Sequence, residues 1–231
     1  MDNNFEKLTQ ADIEREIQTA IAQNRVADFR GKTLSSFSIL TTDIKTGLNL
    51  EDAKILGPVT LGGATIENNL NFKNAKITGP LYLAESHIKG DLILEGAEVG
   101  GVINLVGTTI EGNLFGSNLI TNGFLSLSKA TIRGDVVLNN LTTKITNYEG
   151  LKINGDIFFD FAQIAGSINL KNANIEGLIT FQNAGIEKDL DIEGAKIIGR
   201  ILLTTANIKG AINLKDVESG EIIRYFEQQG L

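Results

Sequence analysis

Few side chains in this sequence are of the types that perform chemistry. Among the 231 residues there is a single histidine, His87, and there is no cysteine. Without cysteine the chain can form neither disulfides nor thiolate metal sites, and it has no thiol nucleophile. A lone histidine is typical of a surface residue, because metal sites combine several ligands and catalytic sites several partners. We therefore predict no catalytic residue.

Three aspartates recur along the chain with asparagines between them. Asp91, Asp135 and Asp156 share a repeating position with Asn69 and Asn113. Converging carboxylate oxygens could bind Ca²⁺, but the sequence does not have the dense glycine–aspartate repetition of calcium-binding solenoids. The preferred interpretation is that these are solvated turn residues. We predict no metal site and no cofactor.

The short sequence motifs of common enzymes are also absent. The sequence contains no phosphate-binding loop, no GxSxG motif, no HExxH motif and no dinucleotide-binding fingerprint. Its repeats carry almost no insertions, so there is little loop material from which to build a pocket. We therefore predict that the protein is not an enzyme.

Charge and hydropathy restrict the partners and the location. The formal net charge is −7, whereas binding to nucleic-acid phosphates needs a basic surface. The amino terminus, MDNNFEKLTQADIERE, lacks the basic start and apolar core of a signal peptide. No apolar run approaches the roughly 20 residues that span a bilayer. We predict a cytoplasmic protein that binds neither nucleic acid directly nor membranes.

An eleven-residue repeat dominates the chain. Successive units read LNFKNAKITGP, LYLAESHIKGD and LILEGAEVGGV. If the first residue is position 0, positions 0, 2 and 7 are mostly apolar, position 5 is small and position 9 is usually glycine. The alternation has the period of a β-strand, and glycine is typical of a corner with positive φ. Each unit is therefore predicted to form two short strands and two corners, which need stacking to be stable.

The outward-facing position 1 indicates that one coil contains two units. In alternate units this column is polar except for one tyrosine: Ser38, Thr60, Tyr82, Asn104, Ser126, Asn147, Asn169, Asp191 and Asn213. In the other units it is largely apolar: Asn49, Asn71, Ile93, Phe115, Val137, Phe158, Thr180 and Leu202. An eleven-residue coil gives no reason for this difference. The predicted fold class is all-β, a single-stranded, four-sided β-helix solenoid with about 22 residues per coil and an N-terminal α-helical cap.

The repeat resembles that of the pentapeptide-repeat proteins. More closely, the unit xLxLxxAxIxG is similar to an undecapeptide variant from an uncharacterised bacterial and archaeal branch. The resemblance implies a right-handed β-helix and covers about residues 26–221. Some proteins of that branch carry the description membrane-associated oxidoreductase, although this sequence has no recognisable redox site. Pentapeptide-repeat proteins linked to quinolone resistance are acidic rods that mimic duplex DNA and protect gyrase.

Both ends of the chain depart from the repeat, as expected of segments that cap a solenoid. We predict an N-terminal helical cap over residues 1–25, a β-helix over 26–221 and a C-terminal cap over 222–231. Thr9 and Asp12 have the spacing of a capping box. An apolar helical stripe follows them: Ile13, Ile17, Ala20 and Ile21. The C-terminal segment has apolar residues that could cover the last coil or form a dimer contact: Ile222, Ile223, Tyr225 and Phe226.

The clearest indication of function is an apolar stripe on one outer face. We define the stripe as Ile93, Phe115, Val137, Phe158 and Leu202. Contiguous exposed apolar patches commonly mark interfaces, although the chain's own termini could also cover this one. We predict a non-catalytic structural or interaction scaffold that binds a protein partner, or forms a homodimer, through the stripe. The alternative is an acidic DNA mimic acting on a DNA-binding enzyme such as gyrase.

Overall fold

The chain folds into a parallel β-solenoid. A computed structural model describes residues 7–39 and 43–223 and shows about nine coils, about 22 residues apart. Each strand pairs in parallel with the strand one coil later, so that Leu92 pairs with Leu114 and Ile93 with Phe115. The prediction of a solenoid with about 22 residues per coil is confirmed.

Four faces follow one another around each coil, and we number them in chain order. The first face contains the strands Phe37–Ser38, Val59–Thr60, Leu81–Tyr82, Ile103–Asn104, Phe124–Ser126, Ile145–Asn147, Ile168–Asn169, Leu190–Asp191 and Ile212–Asn213. The second contains Asp43–Ile44, Thr65–Ile66, His87–Ile88, Thr109–Ile110, Thr131–Ile132, Lys152–Ile153 and Asn174–Ile175.

The third and fourth faces complete the coil. The third face contains the strands Ala27–Asp28, Leu48–Asn49, Leu70–Asn71, Leu92–Ile93, Leu114–Phe115, Val136–Val137, Ile157–Phe158 and Ile179–Thr180. The fourth contains Thr33–Leu34, Lys54–Ile55, Lys76–Ile77, Glu98–Val99, Ile120–Thr121, Thr142–Thr143, Gln163–Ile164, Gly185–Ile186 and Asn207–Ile208. Two longer strands, Lys196–Leu202 and Glu218–Ile223, run across faces two and three and join them into one sheet.

The core is a stack of mostly aliphatic layers. On the third face the first residue of each strand points inward, and on the second face the second residue does, as the buried side chains of Leu92 and Ile88 illustrate. Aromatic rings enter the stack at a few coils, where Phe159 packs on Phe181 with ring centroids 5.1 Å apart. Because each layer contacts only the coils above and below it, stability depends on the stacking of neighbours.

Within the repeated units, the residues with positive φ lie at a different corner from the one predicted. They occupy position 4 of the repeat: Asp52, Gly63, Asn74, Glu85, Gly96, Gly107, Asn118, Lys129, Asn140, Gly150, Phe161, Asn172, Asn183, Gly194, Thr205 and Asp216. The prediction of positive φ at the position-9 glycines is therefore wrong. Those glycines are required by close approach between coils, since a Cβ on Gly101 or Gly112 would lie 2.9 Å from a backbone atom of the preceding coil.

One α-helix, Gln10–Ala22, covers the start of the solenoid. Thr9 and Asp12 form the predicted capping box. Ile13 and Ile17 are buried against the first coil. No helix within the described ranges is both long and apolar enough to cross a bilayer.

At the other end, the strand Glu218–Ile223 pairs with Lys196–Leu202 and so continues the stack. Ile222 and Ile223 belong to this strand. Tyr225 and Phe226, for which we predict a capping or dimer contact, lie outside the described residues.

Candidate protein-interaction face

The stripe lies on the third face, in a single column of outward-pointing residues. Ile93 pairs with Phe115, Phe115 with Val137, and Val137 with Phe158. The column continues through Thr180 to Leu202. The structure therefore brings the first four stripe residues together on consecutive coils and leaves Leu202 two coils further on.

All five stripe side chains are half-buried. Their backbone pairs within the sheet while the side chains point away from the core, so their outer surfaces contact solvent. Thr180 interrupts the column because it is buried and its Oγ1 donates a hydrogen bond to Asp160 Oδ1 at 2.6 Å. The continuous part of the stripe is thus the four-coil segment from Ile93 to Phe158.

Phe161 enlarges this apolar surface and was missed by the sequence analysis. It follows Phe158 by three residues, at the corner between the third and fourth faces, and its side chain is 55% exposed. Its φ is +59°, a left-handed conformation that is unfavourable for a bulky side chain. Most other residues at this corner are Gly, Asn or Asp, so an aromatic residue at position 4 is the sequence signal that marks it.

A ladder of Asn and Asp side chains borders the stripe on the side of the second face. Asp91 Oδ1 accepts a hydrogen bond from the Asn113 backbone N–H at 2.8 Å, and Asp135 Oδ1 accepts one from the Asp156 N–H at 2.9 Å. Asn69, Asn113 and Asp156 accept equivalent bonds. These residues are half-buried corner acceptors, which explains their recurrence without a metal ion.

Acidic residues also lie on the opposite border, two positions after the stripe column. Asp160 Oδ1 accepts a hydrogen bond from the Gln182 backbone N–H at 2.9 Å. Lys73 Nζ, on the neighbouring coil, lies 3.1 Å from Glu95 Oε2 and donates a hydrogen bond to it. This hydrogen bond raises the pKa of Lys73. Carboxylates therefore flank the stripe on both sides.

The first face carries the polar column for a structural reason. Its asparagines accept a hydrogen bond from the backbone two residues later, as Asn169 Oδ1 does from the Lys171 N–H at 3.0 Å. They also bond to each other between coils, as Asn169 Nδ2 does to Asn147 Oδ1 at 3.1 Å. The apolar side chains of the stripe can form neither hydrogen bond. Stabilisation of the turn therefore does not explain why they occupy the third face.

The lone histidine belongs to a network of surface charges. His87 is half-buried on the second face, with its Nε2 atom 2.8 Å from Glu111 Oε1. Arg133 pairs with the same carboxylate from the next coil. Across the part of the chain that the structure describes, no three His, Cys, Asp or Glu side chains are grouped so as to hold a metal ion.

A second apolar area, also missed by the sequence analysis, lies where the fourth face is followed by the first. Ile120 and Phe124 are 43% and 44% exposed. Ile120 lines a shallow groove of about 290 Å³ together with Ile77 and Val99. Ile120 is the outward residue of a fourth-face strand, and Phe124 begins the next strand, on the first face, so a column-by-column reading of both positions would have found them.

Comparison of the sequence with protein families and with curated proteins identifies no relative. No protein-family model matches the chain, and no curated protein is similar enough in sequence to count as a match. What can be said of the protein's function therefore rests on its own repeat and on the surface of the solenoid.

Proposed function

We propose that this protein is a non-catalytic scaffold that binds a protein partner, or a second copy of itself, through the stripe on the third face. The observation that carries the proposal is the alignment of Ile93, Phe115, Val137 and Phe158 on four consecutive coils. Contiguous apolar patches on a soluble fold are characteristic of interaction surfaces.

Phe161 adds support, because it is costly within the chain and gains little there. A non-glycine residue in the left-handed region costs on the order of 1 kcal/mol or more. Its exposed ring recovers little of this cost by burial. Buried aromatic side chains are prominent among the residues that dominate binding energy at interfaces, and contact with a partner would bury this one.

The acidic DNA-mimic alternative has less support. Acids on the outer surface are repeatedly paired with bases on neighbouring coils, as Lys89 is with Glu67 at 2.8 Å. On the first face Lys171 and Lys215 both pair with Glu193 and lower the pKa of its carboxyl. A mimic of the duplex needs unbroken rows of negative charge, which these pairs interrupt.

We also infer that the chain is a distant, undecapeptide variant of the pentapeptide-repeat proteins, with a right-handed coil and a cytoplasmic location. The four faces, the short strands and the small buried residue at position 5, such as Ala97, support this relationship. One extra residue for every ten lengthens the coil without changing the number of its faces.

Site-specific photo-crosslinking in the native host tests the scaffold proposal. A photoreactive phenylalanine analogue is introduced at Phe115 or Phe158, and in control proteins at Thr60 or Asn104. The control residues lie on the first face and are likewise two coils apart. We expect discrete adducts from the stripe positions only.

The mass of each adduct distinguishes the partners. An adduct of twice the chain mass of 24.9 kDa identifies self-association, and any other mass identifies a second protein. Equal adducts from both faces, or none from the stripe, would contradict the proposal.

A further inference from the structure

We propose that the stripe binds a basic, apolar segment of a different protein, and not a second copy of this chain. The inference rests on the proposed function and specifies the partner's chemistry. It follows from the charges that border the four-coil segment of the stripe.

On the four coils of that segment, the residues next to the stripe in sequence include acids and no bases; Lys73, which pairs with Glu95, belongs to the preceding coil. Within three residues of Ile93, Phe115, Val137 and Phe158 there is no lysine or arginine. The same windows contain Asp91, Glu95, Asp135, Asp156 and Asp160. Apolar side chains at the centre of an interface, surrounded by charges of one sign, are complementary to apolar side chains surrounded by the opposite sign.

Most of these acids have no basic partner among the described residues. Glu95 pairs with Lys73, but among the described residues Asp91, Asp135, Asp156 and Asp160 form no ion pair. Each uses Oδ1 to accept a backbone N–H from the next coil. Such a hydrogen bond fixes the position of the carboxylate without neutralising it.

A second copy is a poor occupant for electrostatic reasons. In a two-fold dimer formed by the stripe, each border of one copy lies against a border of the other. Both borders are acidic, with Asp135 and Asp156 on one side and Asp160 on the other. Self-association would therefore bring like charges together, which opposes binding.

The length of the surface limits the size of the ligand. The four coils span about 14 Å, because neighbouring strands lie about 4.8 Å apart. About nine residues of an α-helix, or four to five residues of an extended strand, cover this distance. A short linear segment with two or three apolar anchors and flanking lysine or arginine fits the surface.

Asparagine already occurs in the ladder, so aspartate-to-asparagine variants should remove the charge and keep the fold. Asn69 and Asn113 occupy the same ladder as the aspartates and accept the same backbone hydrogen bond. The variant Asp91→Asn/Asp135→Asn/Asp156→Asn therefore loses three negative charges while each Oδ1 acceptor remains. A matched control, Asp189→Asn/Asp191→Asn/Asp216→Asn, changes the net charge equally at other surfaces.

The experiment is a selection from a random twelve-residue peptide display library on the wild-type protein, with counter-selection on Phe115→Asp/Phe158→Asp. We expect the retained peptides to combine apolar residues with a net positive charge. The best peptide should bind the triple ladder variant about tenfold more weakly at low salt, with a shallower salt dependence. The control variant should bind like the wild type.

The outcomes separate the two proposals. Retained peptides that are neutral or acidic, or binding that is unchanged in the ladder variant, would overturn the basic partner and leave the interaction face intact. A selection that retains no stripe-dependent peptide would overturn both. A stripe-dependent dimer of the wild-type protein in light scattering would also overturn the basic partner while supporting the interaction face.

Discussion

Asp91 and Gly112 lie on neighbouring coils, so close that a Cβ on Gly112 would be 2.3 Å from Asp91 Oδ1 and 2.9 Å from the Gly90 carbonyl. We expect Gly112→Ala to lower the free energy of unfolding by about 2 kcal/mol or more, because the neighbouring coil leaves no room for the added methyl group at this corner. Urea denaturation followed by circular dichroism measures the change. Gly62→Ala is the control, since its nearest neighbour is Ala84 O at 3.3 Å; equal effects of the two substitutions would contradict the explanation.

Ser86 offers a stabilising substitution. Its side chain is buried in the column of small residues, and its Oγ has no hydrogen-bond partner among the described residues. Ser86→Ala should raise the free energy of unfolding by about 1 kcal/mol, because it removes an unsatisfied polar group. Thr108, one coil later, donates to Leu83 O at 2.8 Å, so Thr108→Val should destabilise by a similar amount. Opposite shifts of the denaturation midpoints are the expected result.

The N-terminal cap should loosen in acid. The Arg25 guanidinium lowers the pKa of Glu16 below its ordinary value of 4.5, with a further contribution from the Asp28 N–H. A carboxyl whose pKa is lowered in the folded state stabilises that state above its unfolded pKa and loses this contribution as the pH falls. Glu16→Gln should therefore reduce the loss of stability between about pH 5 and pH 3. Hydrogen exchange of the helix amides measures the effect, and identical pH profiles would exclude this role.

We expect Phe161 to lower the stability of the fold and to raise the affinity for the partner. Phe161→Asn places at this corner the residue found there at Asn140 and Asn183. We expect the free energy of unfolding to rise by about 1 kcal/mol, since asparagine tolerates the left-handed region. Affinity for the partner should fall, because an aromatic contact is lost. Thermal denaturation and peptide binding test the two effects, and a loss of stability would show that the ring packs within the chain.

Much of the architecture was predictable from the repeat. The contrast between the polar column that contains Asn104 and the largely apolar column that contains Phe115 is sufficient to infer a coil of two units with four faces. The corners were harder to predict, because glycine serves two purposes here. Gly96 is present for its positive φ, while Gly112 is present because the preceding coil leaves no room for a Cβ.

The interaction face was only partly predictable. The periodicity identified the column from Ile93 to Phe158, because outward residues recur about every 22 positions. It did not identify Phe161, whose conformation depends on the corner and not on a strand. The significance of Asp135 and Asp156 was also hidden, since only the three-dimensional structure shows that their hydrogen bonds leave the carboxylates unpaired beside the stripe.

The pairing of strands with the strands a full coil later, seen along the described solenoid, constrains how such a chain can change its length. Duplication of a single eleven-residue unit would keep every aliphatic layer in place, yet in all later units the first and second faces would change places with the third and fourth. The apolar column would then be divided between opposite sides of the rod. Only duplication by whole coils extends the rod and its binding column together, so the length of the protein can vary in steps of about 4.8 Å without loss of its recognition surface.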